Sequence, residues 1–336
     1  MSKPQGFCTL GIETSCDETA VSILREETEI LANHVYSQAD LHARFGGVIP
    51  EVASRNHLRK LPYLVRDTLD QVKLGPKDLS LVAATYGPGL VGPLLVGLSY
   101  GKAYACGAGI PFIGVNHLEG HVFAHRLSGD SPPPPFMALI VSGGHTSLVD
   151  VHAYGEYNVI GATVDDAAGE ALDKIGKMIG IGYPAGAEID RLADSGDPER
   201  IPLPRPMESS PGFDFSFSGL KTAVLYHLRK HPNERPADIA ASTLASVVDV
   251  LTKKSIEAAR RFHRNALIVV GGVAANRHLR DRLTADGAHR GINVLFPELS
   301  FCTDNAAMIA AAGAFRHLRM EESHSLDLIA QPSLSL

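Results

Sequence analysis

One order of elements, three strands followed by alternating helices and strands, is written twice in this chain, and that repetition limits its fold more than any single motif does. Residues 8–12, 20–24 and 29–36 read as three short strands joined by turns rich in Ser, Asp, Thr and Glu. Val52, Leu58, Leu61, Leu64, Val65, Leu69 and Val72 then recur at helical spacing, with Pro62 restarting the helix. A strand over 79–85, a helix over 91–108, a strand over 112–115 and a helix from about His117 complete the series. Ser131-Pro132-Pro133-Pro134-Pro135 is a stiff connector that neither element type tolerates. Beyond it the series restarts, with strands over 136–141, 147–151 and 157–163 and helices over 166–179 and 237–263. Strand 267–270, helix 276–285, strand 293–296 and helix 303–319 close it. The pattern βββαβαβα predicts two α/β halves: residues 1–131 with a helical insert at about 38–72, and residues 132–336 with helical insertions at about 180–235. Turns at the carboxyl ends of corresponding strands are expected to line a central cleft from both sides.

Composition narrows the class. With 336 residues, 45% of them hydrophobic and 20% charged, each half has enough apolar side chain for a core. The four cysteines, at 8, 16, 106 and 302, form no CxxC pair, and nothing before Thr9 reads as a secretory leader, so a reduced, cytoplasmic protein is expected. The least polar stretch, 89–110, carries a single charge at Lys102, but its Gly and Pro content fits a buried helix and no membrane association is expected. A net charge of −6 argues against a chain coated with nucleic acid. Basic residues at Arg55, His57, Arg59, Lys60 and Arg66, and at Lys253, Lys254, Arg260, Arg261 and Arg264, read as solubilising faces.

Each half opens with a strand, a small polar turn and a second strand: residues 11–19 in one, Val141-Ser142-Gly143-Gly144-His145-Thr146 in the other. Such turns offer backbone N–H groups and hydroxyls to a phosphate or carboxylate. Gly87-Pro88-Gly89 and Gly271-Gly272 stand at matching strand-to-helix junctions, where missing side chains let a ligand approach the backbone. No GxxxxGK[ST] loop exists, so phosphates must be held another way. The sharpest local feature is His117-Leu118-Glu119-Gly120-His121, two imidazoles on one helical face that can share a metal. The duplication sets Thr303-Asp304-Asn305 at the matching helix of the second half, and points Asp304 across the cleft at the two histidines. Two His and one carboxylate leave coordination sites open. A zincin would carry Glu directly after the first His, and Leu118 stands there instead. Asp166, Glu170 and Asp173 share a helical face and, without further information, read as a solvated surface.

Taken together, residues 11–19, Asn116-His117-Leu118-Glu119-Gly120-His121, Val141 to Thr146, Asp165-Asp166-Ala167-Ala168-Gly169-Glu170, Asp214-Phe215-Ser216-Phe217-Ser218-Gly219-Leu220-Lys221, Gly271-Gly272-Val273 and Phe301-Cys302-Thr303-Asp304-Asn305 resemble the TsaD family in order and spacing, over nearly the whole chain. The resemblance implies an α/β, two-lobed actin-like ATPase (ASKHA) fold of duplicated ribonuclease-H-like halves. It implies transfer of a threonylcarbamoyl group from threonylcarbamoyl-AMP to the exocyclic amine of the adenosine 3′ of the anticodon in ANN-decoding tRNAs. Carried over by motif, His117, His121 and Asp304 would bind one divalent metal, Fe2+ or Zn2+. Ile140, Val141, Ser142, Gly143, Gly144, Asp173, Gly186 and Asn276 would bind the adenine nucleotide, as threonylcarbamoyl-AMP or ATP/ADP. Asp17 and Glu18 would be the catalytic acids. The partners implied are tRNA, a TsaB-like paralogue and a TsaE-like P-loop ATPase. Two stretches depart from the family pattern: Tyr183-Pro184-Ala185-Gly186-Ala187 replaces a Tyr-Pro-Gly-Gly-Pro loop, and residues 326–336 lack an Arg- and Trp-containing ending. From the residues alone, a small-molecule phosphotransferase of the same fold, a metallopeptidase and a non-enzymatic nucleotide switch remain open.

Overall fold

The computed structural model describes residues 6–129 and 131–336, and the opening positions that bear on the leader expectation lie outside the described residues. The first sheet holds β1 (Cys8–Glu13), β2 (Glu18–Arg25), β3 (Glu29–Ser37), β4 (Leu81–Gly87) and β5 (Phe112–Asn116) in the order β3-β2-β1-β4-β5. The second holds β6 (Phe136–Val141), β7 (Thr146–Ala153), β8 (Glu156–Ala162), β9 (Ala266–Val270) and β10 (Asn293–Leu295) in the order β10-β9-β6-β7-β8. The orders are identical once β6 is matched to β1. In each sheet the first three strands form an antiparallel meander and the last two run parallel to the first. Leu10 thus lies opposite Ile23 and Val82, and Leu139 opposite Leu148 and Val269. β1 and β6 are buried along their whole length, as near-continuous apolar strands must be when helices cover both faces.

Helices α1 (Ala39–Ala43), α2 (Pro50–Val72), α3 (Val91–Ala108) and α4 (His117–Ala124) accompany the first sheet. Next come α5 (Ala168–Met178), α6 (Gly186–Ala193), α7 (Ser218–Lys230), α8 (Pro236–Arg261), α9 (Arg277–His289), α10 (Leu299–Cys302) and α11 (Ala306–Met320). The expected restart at Pro62 does not occur: α2 is one helix that starts on Pro50 and carries Pro62 inside it. Its buried stripe of Ala53, His57, Leu61, Val65 and Leu69 runs past the proline, so packing outweighs the lost backbone bond.

The chain forms two compact units, one of Met1–Ser131 with Thr303–Leu336 and one of Pro132–Cys302. Residues 303–336, expected with the second half, therefore belong to the first. The physical reason is the composition of α11. Ala306, Ala307, Ala310, Ala311, Ala312, Gly313 and Ala314 are all buried, and so small a face lets the helix backbone approach a sheet closely. β1 turns Leu10 and Ile12 to the core formed with Leu61 and Val65 of α2 and Leu98 of α3. Its opposite face presents Gly11, where a Cβ would collide with the Ala306 carbonyl oxygen, and Gly313 meets Ala83 of β4 as tightly. In the second unit, Leu139, Leu148 and Val269 of the sheet pack with Phe215, Phe217 and Leu220 and with Leu244, Val247 and Leu251 of the long helix α8.

Residues 321–336 close the open side of the first sheet without forming a strand. His324 N donates to Phe112 O at 2.8 Å, Gly114 N to His324 Nδ1 at 3.1 Å, and Gln331 N to Tyr86 O at 2.7 Å. Gly87 leaves the room that Gln331 and Leu334 fill, and Gly89 N donates to Pro332 O at 3.1 Å. The junction read from sequence as open to a ligand is thus covered by the chain itself. Gly11→Ala is expected to cost about 1–3 kcal/mol by overpacking, read as a lowered urea midpoint; an unchanged midpoint would mean that α11 does not press on β1.

Candidate metal centre and nucleotide-side turns

α4 starts at His117, directly after β5. Asn116 is its N-cap, and Asn116 Oδ1 accepts from Leu118 N at 2.9 Å and Glu119 N at 3.4 Å. The His117 and His121 rings lie edge to face with centroids 4.7 Å apart. α11 crosses α4 at Gly120, where a Cβ would press on Ile309. That crossing brings the start of α11 to the imidazoles. Asn305 caps α11 by accepting from Met308 N at 3.0 Å, and Asp304 immediately before it sets Oδ1 3.2 Å from His121 Nε2 and 3.6 Å from His117 Nε2. One ligand atom of each residue lies within 4.8 Å of the others. Asp304 reaches the histidines from within the same unit, not from the second half as the duplication suggested, because α11 packs on the first sheet.

The donor set fits a divalent cation. Among the described residues, neither ring nitrogen of the buried His121 makes a hydrogen bond; Nε2 has only the Asp304 carboxylate oxygen at 3.2 Å and Nδ1 has nothing, an arrangement that costs free energy unless something else satisfies them. His117 is oriented by a carboxylate that the sequence reading passed over. Glu13, at the end of β1 and on the same strand face as Gly11, accepts from His117 Nδ1 at 3.0 Å, from Thr85 Oγ1 at 2.5 Å and from Ser15 N. With Nδ1–H bound there, Nε2 is the nitrogen turned to Asp304, the carboxylate–histidine pairing that metal sites use to fix a ligand. Glu13 lay inside the quoted motif, and its position on the α11 face of β1 was the available signal. Burial opposes charge on His117, but the carboxylates of Asp304 and Glu13 outweigh it and raise the imidazole to about 9. Burial likewise opposes charge on Glu13, yet His117 and the Thr85 hydroxyl hold it below the usual carboxylate range. Glu119, between the two histidines, is buried and ion-paired to Arg316 Nη1 at 2.7 Å. It is tied to α11 and not poised to activate water as a peptidase glutamate is.

Asp17 ends the turn between β1 and β2, and Glu18 is the first residue of β2. This turn does not offer its hydroxyls outward: Thr14 Oγ1 donates to Pro93 O at 2.9 Å, and Ser15 Oγ lies 3.2 Å from His117 Nδ1. His57 of α2, read from sequence as part of a solubilising face, is fully buried and clamps the turn. Its Nε2 donates to Cys16 O at 2.9 Å, and its Nδ1 accepts from Thr19 Oγ1 at 2.8 Å. Burial, reinforced by Asp304 and Asp17, pushes the Glu18 carboxyl up to about 9. The Cys16 thiol is pushed well up by burial and the same acids, which leaves no nucleophilic thiolate at neutral pH.

In the second unit, Ile140 and Val141 end β6, Ser142, Gly143 and Gly144 form the turn after it, and Asp173, Gly186 and Asn276 stand in α5, at the start of α6 and at the cap of α9. Ile140 and Val141 are buried in β6. Ser142 Oγ accepts from Gly144 N at 3.3 Å and His145 N at 3.1 Å, shaping a turn in which a Cβ at Gly143 or Gly144 would meet open space. Gly169 of α5 packs on Ser142 and Gly143, and Gly271, at φ +95°, packs on Val141. Asp173 Oδ1 accepts from Ala185 N at 2.7 Å, so it positions the start of α6, whose first residue is Gly186. Asn276 caps α9 by accepting from Leu279 N at 2.9 Å. Ala185, where the family pattern has glycine, has φ −94° and faces Gly176, so an alanine methyl is accommodated there.

The family model described as TsaD, tRNA N6-adenosine threonylcarbamoyltransferase, matches residues 29–311. A tRNA N6-adenosine threonylcarbamoyltransferase of Thermotoga neapolitana is 48% identical over 327 residues, covering 97% of this chain and 99% of that protein. One of Thiobacillus denitrificans is 49% identical over 331 residues, covering 97% of each. Among solved structures, component A of the (R)-2-hydroxyglutaryl-CoA dehydratase of Acidaminococcus fermentans matches with a TM-score of 0.56 and 17% identity over 93% of this chain and 99% of that one. The activator of the 2-hydroxyisocaproyl-CoA dehydratase of Clostridium difficile, with bound ADPNP, gives 0.54 and 16% over 95% and 99%. These two likenesses show the fold alone, the actin-like ATPase (ASKHA) fold with its duplicated halves.

Because His117 must lose a proton to bind a metal, affinity is expected to rise with pH, by up to about tenfold per unit, and to level off near 9. The raised imidazole stabilises the metal-free fold fully below the unfolded value of about 6.5 and loses that contribution as pH rises through about 9, so the metal-free melting temperature should fall over the same window. Calorimetric Zn2+ titrations and melting curves from pH 6.5 to 9.5 read both; a pH-independent affinity would contradict the His117–Asp304–Glu13 arrangement. Glu13→Ala should lower Zn2+ affinity about 10- to 100-fold, and an unaltered dissociation constant would remove Glu13 from the centre.

Proposed function

This chain belongs to the TsaD family of tRNA N6-adenosine threonylcarbamoyltransferases, and from that premise we propose how it forms N6-threonylcarbamoyladenosine in tRNA. The donor in this reading is threonylcarbamoyl-AMP, and the acceptor is the exocyclic amine of the adenosine 3′ of the anticodon in ANN-decoding tRNAs. As the amine nitrogen bonds the carbamoyl carbon, the bond from that carbon to the phosphate oxygen breaks. AMP leaves and the amine gives up one proton.

The observation that carries the reading is the set of two buried imidazoles and one half-buried carboxylate in the first unit. A divalent ion held by His117, His121 and Asp304, Fe2+ first and Zn2+ second, would supply positive charge against which phosphate charge develops. The backbone N–H groups of the Ser142-Gly143-Gly144 turn suit a phosphate of the adenylate, and Gly143 and Gly144 leave that backbone accessible. Asp173 and Asn276 act on the nucleotide by setting the starts of α6 and α9, where Gly186 leaves the chain bare. Ile140 and Val141 hold the turn from the sheet.

Asp17 and Glu18 are the catalytic acids of this reading. Glu18, kept neutral by burial and by the charges of Asp304 and Asp17, can donate a hydrogen bond but gives up no proton in the transfer. Asp17 is the member left to take the amine's proton. The nucleotide states expected are threonylcarbamoyl-AMP and ATP/ADP, and the protein partners a TsaB-like paralogue and a TsaE-like ATPase. We place the protein in the cytoplasm, with the tRNA substrate of this reading; among the described residues no helix is long and apolar enough to cross a membrane.

Threonylcarbamoyl-AMP and unmodified tRNA, given to the protein with its two partners, should yield the modified nucleoside by mass spectrometry, and His117→Ala should slow its formation about 100-fold. Full-speed formation by that variant would take the His–His–Asp cluster out of the mechanism. Absence of the nucleoside with the unaltered protein would sink the donor and acceptor assignment.

A further inference from the structure

Two turns of helix carry both imidazoles, and a helix so short takes its direction from how its ends are held. One amide does two jobs at the start of α4. Asn116 Oδ1 is committed to Leu118 N and Glu119 N, and Asn116 Nδ2 donates to Ser335 O at 2.9 Å. Asn116 is 6% exposed, so water cannot readily replace either partner, and the amide cannot flip without losing both.

Ser335 lies near the end of the segment that closes the first sheet. That segment is fastened along its length, with Lys102 Nζ donating to Leu328 O at 2.9 Å besides the bonds at Phe112, Tyr86 and Gly89. Its start is tied to α4 as well, since Arg316 bonds Glu322 at 2.6 Å and Glu119 at 2.7 Å. The stretch that supplies Asp304 therefore also grips the first turn of the helix bearing the two histidines, at Asn116 and at Glu119.

We propose that residues 321–336 are a strap that sets the metal-bearing helix through Asn116, which makes Asn116 a positioning residue for His117 and His121. The inference rests on reading the His–His–Asp cluster as a metal centre. The strap works by fixing the cap, and the cap fixes the first turn of α4, where His117 is the first residue. Loosening either end of the amide leaves the ligands in the chain but lets their spacing from Asp304 drift.

Two changes separate this role from simple capping. Asn116→Ser keeps a capping oxygen but is too short to reach Ser335, and deleting residues 333–336 removes the acceptor while keeping the bonds at Gln331 and Pro332. Co2+ is titrated into the metal-free full chain, and the visible spectrum and dissociation constant are read. Each single change should weaken Co2+ binding about tenfold and alter the spectrum, and the two together should weaken it no further than one alone. Unaltered affinity in Asn116→Ser overturns the proposal, even if the deleted chain fails to fold. Losses that multiply in the double variant overturn the route through Asn116. If the unaltered protein takes up no Co2+, the metal reading falls and the strap with it; normal uptake there with normal uptake in the variants removes the strap alone.

Discussion

Close contact between an alanine-rich helix and a glycine in a central strand is the constraint on which the first unit depends. α11 lies so near β1 because Gly11 has no side chain and because its own face is alanine and glycine. The same approach carries Asp304 to the imidazoles, crosses α4 at Gly120, and sets Arg316 where it can hold Glu119. A larger residue at any of these small positions would act on the cluster through packing alone, since interiors this dense transmit displacement to their neighbours.

The duplicated turns illustrate how one topology is put to two uses. After β1, the turn is filled by its own chain: Glu13, Thr14 and Ser15 spend their polar atoms on His117, Thr85 and Pro93. After β6, Ser142 folds the turn on itself and leaves Gly143 and Gly144 bare. The glycine junctions diverge in the same way, with Gly87 and Gly89 covered by residues 331–334 and by Ser15, and Gly271 pressed on Val141. Equivalent strands thus deliver a centre rich in carboxylates and imidazoles in one unit and an open backbone in the other.

Much of this was legible in the sequence, and what was not has a physical reason. Strands such as 136–141 and helices such as 91–108 stand where apolar period and glycine punctuation put them, and the repeated order is the repeated sheet. His117 and His121 declare themselves by spacing. The unit to which α11 belongs did not, because hydrophobic period shows that a helix has a buried face but not which sheet it covers. Glu13 looked like one polar residue in a polar turn, and only the pairing of β1 with β4 shows that it faces Thr85 and His117. Asn116 and Ser335 are 219 positions apart, a separation no local pattern encodes.

The nesting of one unit inside the other has a consequence for how the molecule is made. Pro132–Cys302 is contiguous, so a ribosome releases it whole, whereas the unit begun by the first 131 residues waits for α11. Until that helix emerges, one face of the earlier sheet is bare of its cover, a state in which unpaired apolar surface invites misassembly. The younger half of the nascent chain can therefore reach its native form while the older half is still incomplete, and Asp304 joins His117 and His121 only once α11 has been made.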